Sequence, residues 1–283
     1  CRLPVAIGNA RLRSSGLANH SLGALFGSAT CAAALVGLDE VQAGHLVAYC
    51  AQQASGSWQW LLDIEHLEKS FVFGGMGVHN GLHAALLVEA GFTGVPDALD
   101  VAGGWLSGGL LAGTDDHDLA GLTDALGVEH HLHLVGFKRY PVGGPVQPII
   151  QGTLELAGEQ RNSDVVSVVV DMPGSADTFA RARMPALNAR YLVALIVLDG
   201  ELDFVAAQSL ERFRGDARVR DFMDRVELRH DPAQETDPRS ESARVTFRCS
   251  DGSTRSTFVD HVRGYPSHPM SRDDVVEKAR GLL

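Results

Sequence analysis

From Leu22 to Gly56 the chain reads LGALFGSATCAAALVGLDEVQAGHLVAYCAQQASG, a run of Ala and Leu broken only around Gly37 to Asp39. That pattern predicts two packed helices joined by a short turn. Small residues at Ala24, Gly27, Ala29, Ala32 and Ala33 would let a neighbouring backbone approach closely, so the first of these helices is expected to be buried on most sides. A further helix is predicted over GMGVHNGLHAALLVEAGF, where Ala84, Leu87 and Val88 recur at helical spacing and Gly91 supplies a left-handed stop. The pattern changes near Glu129. β-Branched runs follow, VVSVVVDM from Val165, ARVTFRC from Ala243 and STFVDHV from Ser256, interleaved with the helix-like NARYLVALIVLDG and LDFVAAQSLERF. This mixture predicts an α/β or α+β unit. Between the last two strands SDGS predicts a hairpin, because Asp-Gly supplies the positive φ angles of a tight primed turn. The closing HPMSRDDVVEKARGLL carries an N-cap at Ser271, acids in the first turn and bases later, and predicts a final helix. DPAQETDPRSESA is expected to be a polar surface loop.

Composition narrows the possibilities. A chain of 283 residues with 45% hydrophobic and 21% charged positions can bury a sizeable core in one large or two medium domains. A formal net charge of -11 argues against nucleic-acid binding, which needs clustered Lys and Arg. It leaves an anionic substrate open, since a local cationic pocket can hold a carboxylate inside an acidic protein. Cys1, Cys31, Cys50 and Cys249 form no CxxC pair and no zinc or disulfide spacing, so a cytoplasmic location is expected. No stretch reads as a membrane helix of roughly 18 apolar residues, and CRLPVAIGNARLRSS lacks the apolar core of a signal peptide. The first residue is not Met, which points to a processing site, an engineered boundary or the edge of an incomplete reading frame, the last two being preferred.

Several side chains could carry chemistry. His20 stands just ahead of the Ala/Gly-rich helix, where a ring could face a cleft at a helix N-terminus that favours anions; a lone His there is more often structural or merely exposed. Lys69, in EHLEKSFVFGGMG, precedes a glycine-rich segment, Gly74 and Gly75, that can bring backbone amides close to a ligand, although a Lys is more often a solvated surface charge. FKRYPVGGPVQP concentrates Lys138, Arg139, Tyr140 and Gln147 in a stiffened loop, and an ordinary surface turn reads as well from it. Tyr191 lies inside an apolar helix, where a Tyr usually satisfies its hydroxyl locally but can also act as a general acid beside a cationic pocket. A metal-dependent hydrolase is the rival enzyme reading: His79 and His83 stand at i and i+4, and EHHLH puts His131 and His133 on one face of a strand. The second position of HNGLH is Asn, however, so the zincin base is missing, and Gly81 weakens the helix.

Taken in order, these segments resemble the MmgE/PrpD family over nearly the whole chain. In that family a His precedes a Gly/Ala-rich helix ending in GL, as His20 precedes GSATCAAALVGL. A Lys precedes a small-residue stretch, as Lys69 precedes GGMGVHNGLHAALLVEAGFTG, and a Lys-x-Tyr-Pro segment follows, as in FKRYPVGGPVQP. A helix like ARYLVALIVLDG, a DG hairpin and a closing helix complete the match. The resemblance implies a mixed fold. An all-helical domain of residues 1–133 plus 271–283 would carry an α/β (α+β) lid of residues 134–270. It further implies a cofactor-independent, metal-free enzyme, a lyase or isomerase that moves a proton next to a carboxylate of a di- or tricarboxylic acid. A 2-methylcitrate dehydratase-like reaction is favoured, with decarboxylation or epimerisation as variants, and a homodimer is expected. His20, Lys69 and Tyr191 match residues that line the family's site, with substrate contacts from Lys138, Gln147, Gly74 and Gly75. The sequence departs from the pattern in GLANHSL and at Gln147, where the family often has His and where an amide cannot shuttle protons. The family's amino-terminal helical segment, with its own acidic and His site residues, is not found, so a truncated, inert family fragment is the alternative.

Overall fold

The turn expected between Gly37 and Asp39 is present in the computed structural model, which describes residues 2–101, 103–110, 122–159, 164–235 and 241–282. Two short helices, α1 (Leu3–Ile7) and α2 (Asn9–Ser14), lead into α3 (Asn19–Val36). Gly37 ends α3 with a φ of 74°, the left-handed conformation that glycine adopts without a steric cost. Asp39 then caps α4 (Glu40–Gln52) reciprocally: its carboxylate accepts from the Gln42 N–H at 2.9 Å, and the Gln42 side-chain oxygen accepts from the Asp39 N–H at 2.9 Å. A 3-10 turn (Trp58–Leu62), α5 (Leu67–Ser70), a π-helical turn (Phe71–Gly75) and α6 (Met76–Glu89) follow.

Helix α6 lies on α3 with backbone against backbone. A β carbon at Gly81 would stand 2.1 Å from Ser28 Oγ and 2.3 Å from the Leu25 carbonyl oxygen, and one at Gly77 would stand 2.6 Å from the Ser21 carbonyl oxygen. Glycine is required at both positions by this approach. Leu22, Leu25, Ala29 and Ala32 form the buried stripe of α3, and Leu25, Ala29 and Ala32 share a core with Leu46, Cys50, Ala84, Ala85 and Val88. Burial pushes the Cys50 thiol up to about 12. The expectation that α3 is buried on most sides is corrected to a single stripe, with Leu35 and Val36 exposed. A second correction concerns length: the continuous helical run Leu67–Glu89 is apolar enough to cross a membrane by length and composition, although here Ala84, Ala85 and Val88 pack it into a protein core.

Contacts divide the chain into two compact units, residues 1–129 and 130–283, a break that falls where the sequence pattern changes. The described part of the first unit consists of helices and the turns between them, with an isolated bridge between Leu17 and Ser57 as its extended pairing. The second unit begins with a 3-10 turn, His131–Leu134, so His131 and His133 do not lie on a strand as expected. It continues with α7 (Gln147–Glu159), β1 (Val165–Met172), α8 (Ala176–Ala180), α9 (Ala189–Asp199), α10 (Phe204–Gln208), α11 (Leu210–Gly215) and α12 (Ala217–Met223). Ser209 splits the expected single helix 202–213, because its hydroxyl accepts from the Arg212 N–H and caps a new one. Then come β2 (Val226–His230), β3 (Ala243–Cys249), β4 (Thr254–Val259) and α13 (Arg272–Arg280).

The four strands form one sheet in the order β2-β1-β3-β4, with β2 parallel to β1 and the other pairs antiparallel. Ile149, Ile150, Leu192 and Ile196 from α7 and α9 pack with Val168, Val170, Val245 and Phe247 of the sheet. The β3–β4 hairpin closes at Cys249, whose N–H donates to the Ser253 carbonyl at 2.9 Å. Gly252 alone takes a positive φ there, 84°, while Asp251 turns the chain by accepting from the Ser253 N–H at 2.8 Å.

Helix α13 starts at a capping box between Ser271 and Asp274. Its contacts place it in the second unit and not, as the resemblance implies, with the helical part. Arg139 pairs with Glu277 at 3.2 Å, Arg263 with Asp274 at 2.7 Å, and the Lys278 ammonium donates to the Lys138 carbonyl at 2.5 Å. The unit boundary likewise falls at 129/130 where 133/134 was expected.

Candidate active site

Segment 57–75 of the first unit is wound so that Lys69 is delivered from the short helix α5, just after a constrained turn. Asp63 accepts from the Glu65 N–H at 3.2 Å and the Lys69 N–H at 3.3 Å, and His66 begins α5 with a φ of 66°. A non-glycine residue in that region is a local strain that surrounding contacts must hold. The Lys69 ammonium lies 5.6 Å from the centroid of the Trp60 ring and 5.4 Å from that of Phe73, within cation–π range of both. His20, in the first turn of α3, stacks on the same Phe73 at 3.9 Å and 12°, and meets Trp58 and Trp60 edge-on at 5.5 and 5.6 Å. Trp58 is fixed by its indole N–H, which donates to the Leu17 carbonyl at 2.8 Å, and carries the Arg13 guanidinium 5.4 Å above its face. His20 and Lys69, far apart in sequence, therefore reach one aromatic box.

Trp58, Trp60 and Phe73 were not singled out from the sequence. The signal was present: the chain has three Trp, and two of them stand in WQWLL just before the Lys69 segment, with FVF immediately after it. Gly74 and Gly75, expected to bring backbone amides close to a ligand, are exposed and lie in the π-helical turn, where the Met76 N–H bonds back to the Phe71 carbonyl.

The second unit treats its candidates differently. Gln147 is buried at 1% exposure, and its side chain ties the preceding turn: its oxygen accepts from the Tyr140 N–H at 3.0 Å, and its amide donates to the carbonyls of Tyr140, Val142 and Gly143. The side chain thus closes the turn that leads into α7. Tyr191 is fully buried; its ring meets Phe213 at 5.1 Å and its hydroxyl donates to the Ala206 carbonyl at 2.6 Å. Burial pushes the phenol up to about 12, opposed by Arg212 and reinforced by Asp199 and Asp216. The side chain as placed here offers no proton to solvent. Lys138 is exposed, its Cε 3.9 Å from where a Gly144 β carbon would stand, with the Glu241 carboxylate oxygens 3.5 and 3.6 Å from the same point. Glu241 accepts from the Tyr265 hydroxyl at 2.5 Å, and burial raises its carboxyl above the usual range, against the pull of Tyr265 and Lys138.

An open hollow of about 530 Å³ between α9 and α12 is lined by Asp199, Arg218, Asp221 and Arg225, and by none of the predicted site residues. His79 and His83 do face each other, with ring centroids 6.1 Å apart. Among the described residues, however, no group of three or more His, Cys, Asp and Glu side chains converges on a metal position.

Residues 1–115 match the family model of the MmgE/PrpD N-terminal domain, and residues 140–283 match that of the MmgE/PrpD C-terminal domain. The chain belongs to the MmgE/PrpD family. A search of the curated proteins found no match. Membership of the MmgE/PrpD family, which includes hydro-lyases and related enzymes, suggests a function of the lyase or dehydratase type. His20, Lys69 and the aromatic box all fall in the MmgE/PrpD N-terminal domain, Gln147 and Tyr191 in the C-terminal domain, and Lys138 in the short stretch between the two matches.

Proposed function

We propose that this MmgE/PrpD protein is a cofactor-independent lyase or isomerase that moves a proton next to a carboxylate of a di- or tricarboxylic acid, dehydration of a 2-methylcitrate-like substrate being favoured. The observation that carries the reading is the joint placement of His20 and Lys69 on Trp60 and Phe73. Abstracting a proton α to a carboxylate needs a base near neutrality and a cation for the enolate-like charge that develops. An imidazole and an ammonium on one wall supply that pair. Lys69 would anchor the carboxylate and stabilise the developing charge, and His20 would take the proton and return it to the departing group. The aromatic walls exclude water, which strengthens both interactions. Within the second unit, exposed Lys138 is the cation offered to a carboxylate. Tyr191 and Gln147, engaged by backbone partners, are assigned to holding the second unit, and Gly74 and Gly75 to shaping the π turn beside Lys69. We place the protein in the cytoplasm as a homodimer, with a small carboxylic acid, and neither nucleic acid nor membrane, as its partner.

Gln147, standing where the family often has a proton-carrying His, favours a second reading in which the protein binds a carboxylate without turning it over. One experiment separates the two. The protein is incubated with 2-methylcitrate, citrate, cis-aconitate and iminodisuccinate, and loss of each is followed by mass spectrometry beside a His20→Ala control. Consumption that the control abolishes supports the enzyme; binding with no consumption of any acid supports the second reading.

A further inference from the structure

Helices α7 and α9 pack on one face of the sheet, and the residues between the core positions of the strands point to the other. Val168, Val226 and Phe247 are buried in the core, so Ser167, Arg225 and Arg248, each one position away, face the opposite side. Ser167 pairs with Arg248 across β1 and β3, and Val168 pairs with Val226 across β1 and β2. That register sets Arg225, Ser167 and Arg248 in one row. Arg190, half-buried near the start of α9, reaches the same place, its Nε donating to the Val226 carbonyl at 2.9 Å. These four side chains, with Asp224 and Glu227, line an open hollow of about 400 Å³. Its charges are unequally engaged. Arg229 holds Glu227 with two bonds, of 2.9 and 2.7 Å, and together with Arg248 at longer range keeps that carboxyl below the usual range. Arg225 gives one nitrogen to Asp221 at 2.6 Å. Arg190 makes its one bond to Val226, and among the described residues the Arg248 guanidinium, the Ser167 hydroxyl and the Asp224 carboxylate have no hydrogen-bond partner. Arg190 and Arg248 against Asp224 leave a surplus of one positive charge beside an unused hydroxyl.

We propose that this hollow binds a compact tetrahedral oxyanion, a phosphate or sulfate group, on Arg190, Arg225, Arg248 and the Ser167 hydroxyl. Guanidinium N–H groups meet oxyanion oxygens in charge-assisted bonds that are stronger than neutral ones. The donors come from α9, from β1, from β3 and from the residue ahead of β2. Four oxygens pointing in four directions meet such a set better than the two coplanar oxygens of a carboxylate. Asp224 limits the negative charge that the hollow accepts. A bound anion ties the four segments together, and a ligand taken only by the folded state raises its stability by mass action. The site lies wholly within the second unit, and its assignment stands apart from the reading of His20 and Lys69.

Calorimetric titration of the whole chain with inorganic phosphate, sulfate, phenyl phosphate and acetate, each against chloride at matched ionic strength, tests the site. Saturable binding of phosphate or sulfate is expected, acetate binding more weakly, and the thermal midpoint should rise with the anions that bind. Arg248→Gln should weaken phosphate binding about tenfold or more, the scale of one lost charge-assisted contact. Asp224→Asn should tighten it about threefold by removing the opposing charge. Arg218→Gln, which alters a guanidinium of the neighbouring hollow, should leave it unchanged. Phenyl phosphate bound as tightly as phosphate marks a phosphoryl group carried on a larger ligand, and phosphate or sulfate alone marks the free ion. No saturable binding of any tetrahedral anion, acetate bound equally well, or an affinity unchanged in Arg248→Gln overturns the assignment. If Arg248→Gln does not fold, Asp224→Asn decides, and its failure to tighten phosphate binding counts against the site. Turnover enters none of these readouts, so their failure leaves the enzymatic reading standing.

Discussion

The two units handle the same kinds of polar side chain in opposite ways. In the first, an imidazole and an ammonium are half-buried against Trp58, Trp60 and Phe73, in contact with ring faces that offer a cation weak attraction. In the second, Gln147 and Tyr191 are taken fully inside, and each of their polar atoms is met by a backbone group within ordinary hydrogen-bond distance. A buried polar group with its partners in place contributes to a unique packing; a half-exposed one against an aromatic wall keeps a reactive face. Residue type and order suggest a shared site for all four, whereas burial and partners set His20 and Lys69, half-exposed against rings, apart from Gln147 and Tyr191, which are tied to backbone groups.

The most severe way to break this comparison is to remove the scaffold beneath His20 and Lys69. Gly81→Leu should cost the first unit about 3 kcal/mol or more, because the Leu25 carbonyl and the Ala29 nitrogen in its way are backbone atoms of α3; urea unfolding followed by circular dichroism would show an early transition. Next in size, His20→Ala should lower kcat by about 100-fold and Lys69→Ala kcat/KM by about tenfold or more on the acid found in the panel, the scale of a lost general base and a lost charge-assisted contact. Unchanged kinetics in either variant would remove that residue from the site. Tyr191→Phe sharpens the contrast from the other side. It should cost about 1 kcal/mol of stability, the scale of one neutral hydrogen bond, while kcat stays within about twofold. A loss of turnover like that of His20→Ala would return Tyr191 to the chemistry.

The smallest effect expected is that of Asp274→Asn. Arg263, then the Ser271 cap, hold the Asp274 carboxyl well below the usual range, so its pairing contributes above the ordinary aspartate range and is lost as pH falls through it. The variant's thermal midpoint should lie slightly below the parent's at neutral pH and converge with it in strong acid. A constant difference across pH would mean that the cap geometry, not the charge, is what matters.

Much of the helical unit was legible in the sequence because its signals are local. Gly37, Asp39 and Gly91 mark helix ends through backbone conformation and capping, which depend on neighbours a few positions away. Strands β1 and β3 were legible for the same reason, as unbroken β-branched runs. Strand β2 was not: in VELRH only Val226 is buried, so this edge strand lacks the apolar alternation that would announce it. His20 and Lys69, both brought forward by the family pattern, meet the same Phe73 ring, whereas the burial of Gln147 depends on a turn closing on Tyr140, a tertiary event no spacing rule contains. The aromatic box escaped notice because Trp and Phe read as core, and only the ring geometry shows what they hold.

The contact of α3 with α6 at Gly77 and Gly81 also bears on motion. Two helices separated by side chains can slide, because rotamers rearrange as the axes shift; two that meet backbone to backbone have no such bearing between them. The pair should move as one rod, with the amides of Leu25 and Ala29 among the slowest to exchange with solvent. His20 is carried on that rod, and Lys69 and Phe73 on the helical run that continues into α6, whereas both Trp rings are carried by the 3-10 turn Trp58–Leu62. Any opening of the box should therefore be a movement of the Trp turn past a fixed His20 and Lys69.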